Sequence, residues 1–341
     1  MTYFAVPALV LVLALVGTGW VRRYTLSRSI LDVPNDRSSH RIPTPRGGGL
    51  AIVIAASLGF CALALLDVID WQAFLALQGG LPVAMVGFMD DRYQVSVRVR
   101  LSVHVGAAAW GLYWLGGLPA LLIGETVIDP GYLGWGLGIL AIVWTLNLFN
   151  FMDGIDGIAA AEAIFVALAG SLLLAPGALE SASMAGLVFA AACCGFLFWN
   201  WPPAKIFMGD VGSGYLGVVI AILAIDAGRS SGVALFVWLI LGAVFFVDAS
   251  LTLLRRLIRG ERVYEAHRSH AYQWLSRRWG GHRPVTLVVT AVNVMWLLPC
   301  AALAVLHPEW AACLVVVAMT PLLVAAAVAG SGLPEAKRTG D

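Results

Sequence analysis

The stretch AACLVVVAMTPLLVAAAVAG, residues 311–330, contains twenty residues in a row without a charged side chain. An α-helix of about 20 apolar residues matches the thickness of the hydrocarbon core of a bilayer. Similar stretches recur through the chain, in which 60% of the 341 residues are hydrophobic and only 12% are charged. A soluble protein needs a more polar surface than these residues provide. The composition therefore predicts an all-α, polytopic membrane protein and excludes a soluble enzyme.

The apolar stretches are continuous, whereas the strands of an outer-membrane barrel alternate in hydrophobicity over about ten residues. Windows of about 19 residues predict eleven spans within one integral-membrane domain, residues 1–341. These spans are Tyr3–Val21, Gly47–Leu66, Ala73–Met89, Leu101–Leu118, Tyr132–Asn150, Ile158–Ala175, Ser183–Trp201, Val211–Ile225, Gly232–Leu254, Val285–Leu306 and Trp310–Gly330. We expect the segment between the fourth and fifth spans, PALLIGETVIDPG at 119–131, to form a small hairpin.

The basic residues are distributed unevenly between the two faces that these spans define. Of the 21 Lys and Arg residues, only Arg229 falls on the face opposite to all the others. Because Lys and Arg accumulate in cytoplasmic loops, we expect the N-terminus on the outer face of the membrane and the C-terminus on the cytoplasmic face. No soluble basic domain is present, so nucleic acid is excluded as a partner.

Five aspartates lie near the cytoplasmic ends of the predicted spans. They are Asp90, Asp91, Asp153, Asp156 and Asp210. Asn147, Asn150, Asp153 and Asp156 recur every third residue, which predicts that they share one side of a helix before Gly154 and Gly157 turn the chain away. Carboxylates clustered with amide oxygens suit Mg²⁺, which keeps several waters and bridges to substrate phosphates. The alternative is helix capping, for which Asp210 before VGSG is well placed.

The cytoplasmic loops also offer groups that suit an anion. His267, Arg268 and His270 have donors for phosphate oxygens, although a basic patch against anionic lipid is the alternative. PTPRGGG at 43–49 either brings backbone amides near an anion or forms a plain turn into a helix. Phe207 is placed to stack on a base or to anchor the chain at the membrane interface.

Other polar groups are expected to have no part in the chemistry. Asp248 and Glu162 lie within spans, where we expect structural hydrogen bonding. His104, His282 and His307 stand alone in the sequence, and no role is assigned to them.

Six motifs taken together resemble glycosyltransferase family 4, the polyprenyl-phosphate N-acetylhexosamine-1-phosphate transferases of bacterial inner membranes. In chain order the motifs are DVPNDRSSH, PTPRGGG, MDD, NFMDGIDG, IFMGDVGSG and HRSHAYQ. The resemblance implies a fold of ten or eleven helices with its active site on the cytoplasmic face. It implies transfer of a sugar 1-phosphate from a UDP-sugar to undecaprenyl phosphate, with release of UMP.

The resemblance also implies roles for individual residues. Asp210 matches the magnesium ligand, with Asp153, Asp156 and Asn150 around the diphosphate, and Mn²⁺ is the alternative metal. Asp90 and Asp91 match aspartates assigned to the lipid-phosphate nucleophile or to its deprotonation. The uracil-holding positions correspond to Asn200, Phe207 and Gly209, and the phosphate-contacting motif corresponds to His267, Arg268 and His270.

The form of the last motif narrows the expected pathway. The muramoyl-pentapeptide branch of the family has consecutive histidines, which HRSHAYQ lacks. The chain instead resembles the branch that initiates O-antigen or other surface polysaccharides from UDP-N-acetylhexosamines or their 6-deoxy forms. Expected partners are the UDP-sugar, undecaprenyl phosphate, membrane lipid and a second copy in a homodimer. A transporter or flippase of lipid-linked sugars is the alternative function, but such proteins place ionisable residues nearer the bilayer midplane.

Overall fold

The computed structural model describes residues 5–32, 43–175, 181–261 and 267–334. Within these ranges the chain is mainly helical, with two short two-stranded sheets. The helices are α1 Ala5–Ser27, α2 Gly49–Leu65, α3 Trp71–Leu77, α4 Gly80–Tyr93, α5 Val97–Leu115, α6 Gly131–Met152, α7 Ile158–Leu173, α8 Ser181–Asn200, α9 Asp210–Ser230, α10 Ala234–Leu241, α11 Ala243–Ile258, α12 Ala271–Arg278, α13 His282–Val292, α14 Leu298–Leu306 and α15 Ala311–Val328. The strands are β1 Leu31–Asp32, β2 Thr44–Pro45, β3 Leu121–Ile123 and β4 Thr126–Ile128.

The prediction of a polytopic helical membrane protein is confirmed. Seven helical segments in the described ranges are long and apolar enough to cross a membrane, or eight if one bent pair counts as a span. Each of the eleven predicted spans overlaps a helix or a group of consecutive helices. The other three predicted spans correspond to helices that are shorter or carry charge. The helices α2 and α7 have 17 and 16 residues, and α5 begins with the charged sequence VRVR.

Three predicted spans are interrupted in the structure. The third consists of α3 and α4, which are separated by Gln78 and Gly79. The ninth bends by 73° between α10 and α11. The tenth contains a π-helical segment, Asn293–Leu297, between α13 and α14. Hydropathy identifies apolar segments but contains no information on such breaks, which depend on packing between neighbouring helices.

The centre of the bundle is α9. Its residues from Val211 to Gly228 are all buried, and its principal neighbours are α4 and α6. Gly217 permits close approach to α6, because a Cβ there would lie 2.5 Å from the Thr145 carbonyl oxygen. A helix that is apolar all round belongs in the interior of a bundle, so α9 provides a fixed support for the loop that precedes it.

In both sheets the two strands are antiparallel. The hairpin expected within 119–131 is confirmed, because β3 pairs with β4 through Leu122 and Val127. On the opposite side of the bundle β1 pairs with β2, which places Asp32 opposite Thr44. Most of the DVPNDRSSH motif, residues 33–40, lies outside the described residues.

Candidate active site

The loop before α9 is joined by backbone hydrogen bonds to the loop before α2. Phe207 N–H donates to the Pro45 carbonyl oxygen at 2.8 Å, and Gly48 N–H donates back to the Phe207 carbonyl oxygen at 2.9 Å. Gly49 is required at this junction, because a Cβ there would lie 2.4 Å from the Cα of Gly212. PTPRGGG therefore forms the entry to α2 and at the same time fixes one wall of a pocket.

That pocket has a volume of about 280 Å³ and is mainly polar. Seven of the predicted site residues line it: six belong to the motifs NFMDGIDG and IFMGDVGSG, and Asn200 precedes the second motif. They are Asn150, Asp153, Asp156, Asn200, Phe207, Gly209 and Asp210. The pocket is also lined by four polar residues for which no individual role is predicted, namely Asp32, Arg46, Gln273 and His282. The two motifs thus meet in one cavity, although about fifty residues separate them in the chain.

Arg46 links two of the predicted aspartates. Its Nη2 lies 2.7 Å from Asp210 Oδ1 and 2.9 Å from Asp91 Oδ1. These carboxylates raise the pKa of the Arg46 guanidinium despite burial, which acts in the opposite direction. Sequence reasoning considered only the backbone amides of PTPRGGG and missed this side chain, although an arginine before a glycine run is a recognisable signal for anion or carboxylate binding.

Asp91 also caps α9. Its carboxylate accepts hydrogen bonds from the backbone N–H groups of Asp210 at 3.0 Å and Val211 at 3.3 Å. The side chain of Asp210 does not cap its own helix, whose N-cap residue is Gly209. The alternative that Asp210 serves as a helix cap is therefore wrong, because its carboxylate faces the pocket. The residue that caps this helix is Asp91.

Asp90 organises the turn between α4 and α5. One carboxylate oxygen accepts a hydrogen bond from Val95 N–H at 2.6 Å, and the other is ion-paired with Arg100. Arg100 also approaches the second carboxylate oxygen of Asp210, at 3.9 Å. The aspartate pair therefore belongs to one network of carboxylates and arginines that surrounds Asp210, and neither Asp90 nor Asp91 lines the polar pocket.

The NFMDGIDG motif does not continue as a helix. Asn150 lies on α6, which ends at Met152, so Asp153 and Asp156 lie in the following turn. The expectation that both aspartates share a helix side with Asn150 is wrong. Gly154 lies in this turn and packs against α12, where a Cβ would approach the Tyr272 hydroxyl to 2.2 Å.

Asp156 is held from two directions. Its Oδ2 accepts a hydrogen bond from Ala204 N–H at 3.0 Å, and its Oδ1 lies 3.1 Å from Nδ1 of His282. His282 therefore does not stand alone, because α13 begins at this residue and brings it into the pocket. In the sequence, the position of His282 at the start of a predicted helix near the cytoplasmic loops was the feature that could have indicated a site residue.

The amide side chains connect the loops. Asn200 is buried, with its Oδ1 accepting from Gly157 N–H at 2.9 Å and its Nδ2 donating to the Ile206 carbonyl oxygen at 2.9 Å. Asn150 Oδ1 accepts from the Ser213 hydroxyl at 3.1 Å. Both residues reach the pocket, and both also fix the relative positions of the motifs that form it.

The HRSHAYQ motif reaches the pocket through its last residue. Gln273 lines the cavity, whereas His267, Arg268 and His270 do not. His270 is only 2% exposed, and its Nδ1 lies 3.7 Å from an oxygen of Asp248. Asp248 accepts hydrogen bonds from the backbone N–H groups of Ala271 and Tyr272, which begin α12. The expectation of structural hydrogen bonding by Asp248 is thus confirmed.

The donor atoms of the pocket suit a hard cation without forming a complete cage. Within the described ranges, no three His, Cys, Asp or Glu side chains form a group that would hold a metal ion. Burial raises the pKa of Asp153 well above its usual range, as do the carboxylates of Asp210 and Asp91, while Arg46 opposes the shift. Without a compensating cation these effects favour the neutral form of Asp153, and a bound cation would favour its ionised form.

The sequence has clear relatives among known proteins. The family model of glycosyl transferase family 4 matches residues 73–228. A Bacillus subtilis protein, a probable undecaprenyl-phosphate N-acetylglucosaminyl 1-phosphate transferase, is 30% identical over 295 residues, covering 84% of this chain and 80% of the relative.

The chain belongs to glycosyl transferase family 4. Other relatives of this family 4 protein include a phospho-N-acetylmuramoyl-pentapeptide-transferase of Heliobacterium modesticaldum, 29% identical over 80% of this chain and 86% of the relative. The decaprenyl-phosphate N-acetylglucosaminephosphotransferase of Mycolicibacterium smegmatis is 28% identical over 80% of this chain and 75% of the relative. Membership supports a multi-pass membrane transferase over the transporter alternative.

Proposed function

We propose that this family 4 protein transfers an N-acetylhexosamine 1-phosphate, or its 6-deoxy form, from a UDP-sugar to undecaprenyl phosphate. The products are undecaprenyl-diphosphate-sugar and UMP, and the reaction initiates O-antigen or surface polysaccharide synthesis. Relatives of both the N-acetylglucosamine and the muramoyl-pentapeptide type support the general reaction, a polyprenyl-phosphate sugar-1-phosphate transfer. The absence of consecutive histidines in HRSHAYQ supports a UDP-N-acetylhexosamine as the donor over the larger muramoyl-pentapeptide nucleotide.

The observation that carries this proposal is a pair of adjoining cavities. Beside the polar pocket lies a second cavity of about 140 Å³, lined mainly by apolar side chains together with Arg100 and His104. Asn150 and Asp210 line both cavities. A nucleotide-sugar in the polar cavity and a lipid phosphate in the apolar one would thus meet beside Asp210.

The reaction forms a bond between an acceptor phosphate oxygen and the β-phosphorus of the donor, and it breaks the bridging bond to the α-phosphate. A phosphate monoester is mostly ionised at neutral pH, since its second pKa is near 6, so positioning matters more than a strong base. Asp90 and Asp91 fit a positioning role, because their oxygens already accept hydrogen bonds from Val95, Asp210 and Val211. Phe207 lines the polar cavity and supplies a ring for the uracil.

Magnesium is the metal that the donor atoms suit, with Mn²⁺ as a substitute. The candidate ligands are Asp210, Asp153 and Asp156, of which one or two would hold the ion together with substrate phosphates, and when bound it would neutralise charge on the reacting phosphates. Magnesium is usually held by one or two carboxylates and by substrate phosphates, which agrees with carboxylates that line a cavity without forming a cage.

The topology is proposed to have eleven spans with the pocket on the cytoplasmic side. The support is the basic side chains, because Arg46 and Arg100 lie at the pocket and Arg229 lies at the far end of α9. Reporter fusions test this directly. A fluorescent protein at the C-terminus is expected to fold in the cytoplasm, and an active periplasmic phosphatase fusion at the same point would contradict it.

The deciding experiment measures UMP release by the purified full chain with undecaprenyl phosphate. Donors are UDP-N-acetylglucosamine, UDP-N-acetylgalactosamine and UDP-N-acetylmuramoyl-pentapeptide, each with Mg²⁺ or with EDTA. We expect release that requires both lipid and metal and that prefers a simple hexosamine. Preference for the pentapeptide donor would contradict the proposed branch, and no release from folded protein with any donor would contradict the transferase reaction for these substrates.

A further inference from the structure

The Arg46 guanidinium lies among the carboxylates that the proposed function gives to a metal ion. Its Nη2 contacts Asp210 at 2.7 Å and Asp91 at 2.9 Å. The side chain is nevertheless 36% exposed and lines the polar pocket together with Asp153. The guanidinium pairs with Asp210 on one side and faces the pocket on the other. It can therefore contact either Asp210 or an anion bound in the pocket.

We propose that Arg46 exchanges partners during binding. In the absence of substrate its guanidinium neutralises Asp210 in place of a divalent cation, and with donor bound it contacts the diphosphate and leaves Asp210 to the metal. This inference rests on the proposed function. It adds a phosphate-contacting residue to a site for which the sequence suggested His267, Arg268 and His270.

The geometry makes the two cations competitors. One oxygen of Asp210 is taken by Arg46, and the other faces Arg100 at 3.9 Å. A divalent cation bound there would lie next to both guanidinium groups and would repel them. The planar fork of arginine matches phosphate oxygens in a bidentate manner, so a bound diphosphate offers Arg46 an anionic partner of equivalent geometry.

The backbone around Arg46 is fixed, so the exchange needs only a side-chain movement. Pro45 accepts a hydrogen bond from Phe207 N–H, and Gly48 donates to the Phe207 carbonyl oxygen. Gly209 leaves room for the side chain, because a Cβ there would lie 3.3 Å from Cγ of Arg46 and 2.5 Å from Oδ2 of Asp91. The long side chain of arginine rotates between its two partners while the loop remains in place.

The test measures Mn²⁺ binding to the purified full chain without substrate, by loss of the electron paramagnetic resonance signal of free Mn²⁺. We expect Arg46→Met to bind Mn²⁺ about tenfold tighter than wild type, because Asp210 loses a charge-assisted hydrogen bond. Asp210→Asn in the same background is expected to remove the gain. The matched control is Arg92→Met, because Arg92 is exposed and lies over the Phe88 ring, 4.3 Å from its centroid. The control variant is expected to match wild type.

A second variant keeps the test valid if Arg46→Met does not fold. Arg46→Lys retains one charge but lacks the fork, so we expect tighter Mn²⁺ binding together with a higher KM for the UDP-sugar. Folded Arg46 variants that bind Mn²⁺ no tighter than wild type would overturn the exchange and make Arg46 a fixed counter-ion. The two claims can fail independently. If wild type releases no UMP, the proposed function is wrong. Tighter Mn²⁺ binding by the Arg46 variants would still support competition between Arg46 and the metal for Asp210.

Discussion

The carboxylate of Asp91 caps the helix that begins with Asp210. It accepts hydrogen bonds from the Asp210 and Val211 N–H groups at 3.0 and 3.3 Å. The first N–H groups of a helix have no partners within it, and α9 is buried along its length, so these groups cannot turn to water. The aspartate that faces the pocket is thereby held by an aspartate of the neighbouring α4.

The capping contact predicts that Asp91 contributes to stability. Asp91→Ala leaves two N–H groups and Arg46 without this acceptor, and we expect a loss of about 2 kcal/mol in the free energy of unfolding. Asp91→Asn retains one acceptor oxygen and is expected to cost less. Thermal unfolding of the detergent-purified variants measures both. An unchanged midpoint combined with lost turnover would assign Asp91 to the chemistry instead.

Asp210 is the residue on which turnover is expected to depend most. Asp210→Asn removes the charge that lies between the two cavities, and we expect UMP release to fall by at least about a hundredfold. The matched control is Asp226→Asn on the same helix, because Asp226 pairs with Arg229 at the other end of α9. Equal activity of the two variants would show that turnover does not depend on Asp210.

Much of the architecture could be predicted because hydropathy reports burial in lipid. Each predicted span overlaps helical structure, and the hairpin of β3 and β4 lies within the segment expected for it. The break between α10 and α11 could not be predicted, because all eight residues of α10 are apolar and the bend depends on neighbouring helices. The glycines at 154 and 157 predict a turn, but the sequence does not show the contact with α12 that leaves no room for a Cβ at Gly154.

The pocket could be predicted where motifs carry carboxylates and amides, as with Asn150 and Asp156. Residues that reach it by tertiary contact alone were missed. His282 is distant in sequence from Asp156 and joins it only because α13 starts beside the loop. Residue type and the family motif both predict His270 at the phosphates, whereas in the structure it is buried next to Asp248 and Gln273 faces the cavity.

Gly154 is expected to be sensitive to a single methyl group. In Gly154→Ala the Cβ would lie 2.2 Å from the Tyr272 hydroxyl and 2.8 Å from Nε2 of Gln273. We expect turnover to fall about tenfold or more, because the loop that holds Asp153 must shift. Adding Tyr272→Phe removes the nearest atom and is expected to restore part of the activity. Gly136→Ala is the control, since open space surrounds that position; a silent Gly154→Ala would contradict the close contact.

Asp248 is expected to hold α12 in position for the pocket. It accepts hydrogen bonds from two N–H groups of α12 and from the hydroxyls of Thr252 and Ser331. Asp248→Ala leaves these donors buried, and we expect a loss on the order of 3 kcal/mol in stability, with reduced turnover as Gln273 moves. Thr252→Val removes a single donor and serves as the graded control. Similar thermal midpoints for the two variants would show that the backbone contacts contribute little.

The lowered pKa of His267 predicts how the stability of the protein changes with pH. Burial, reinforced by His270 and Arg256, lowers the pKa of His267 to about 3. In the unfolded chain its pKa returns to about 6.5, so below that pH the unfolded state binds a proton that the folded state does not. Stability is therefore expected to fall as the pH decreases from about 6.5 toward 3. Thermal midpoints at about pH 7.5 and pH 5 measure this decrease, which His267→Gln should reduce. His307→Gln is the control, because the side chain of His307 is 58% exposed. If the two variants lose equal stability on acidification, the pH dependence does not come from His267.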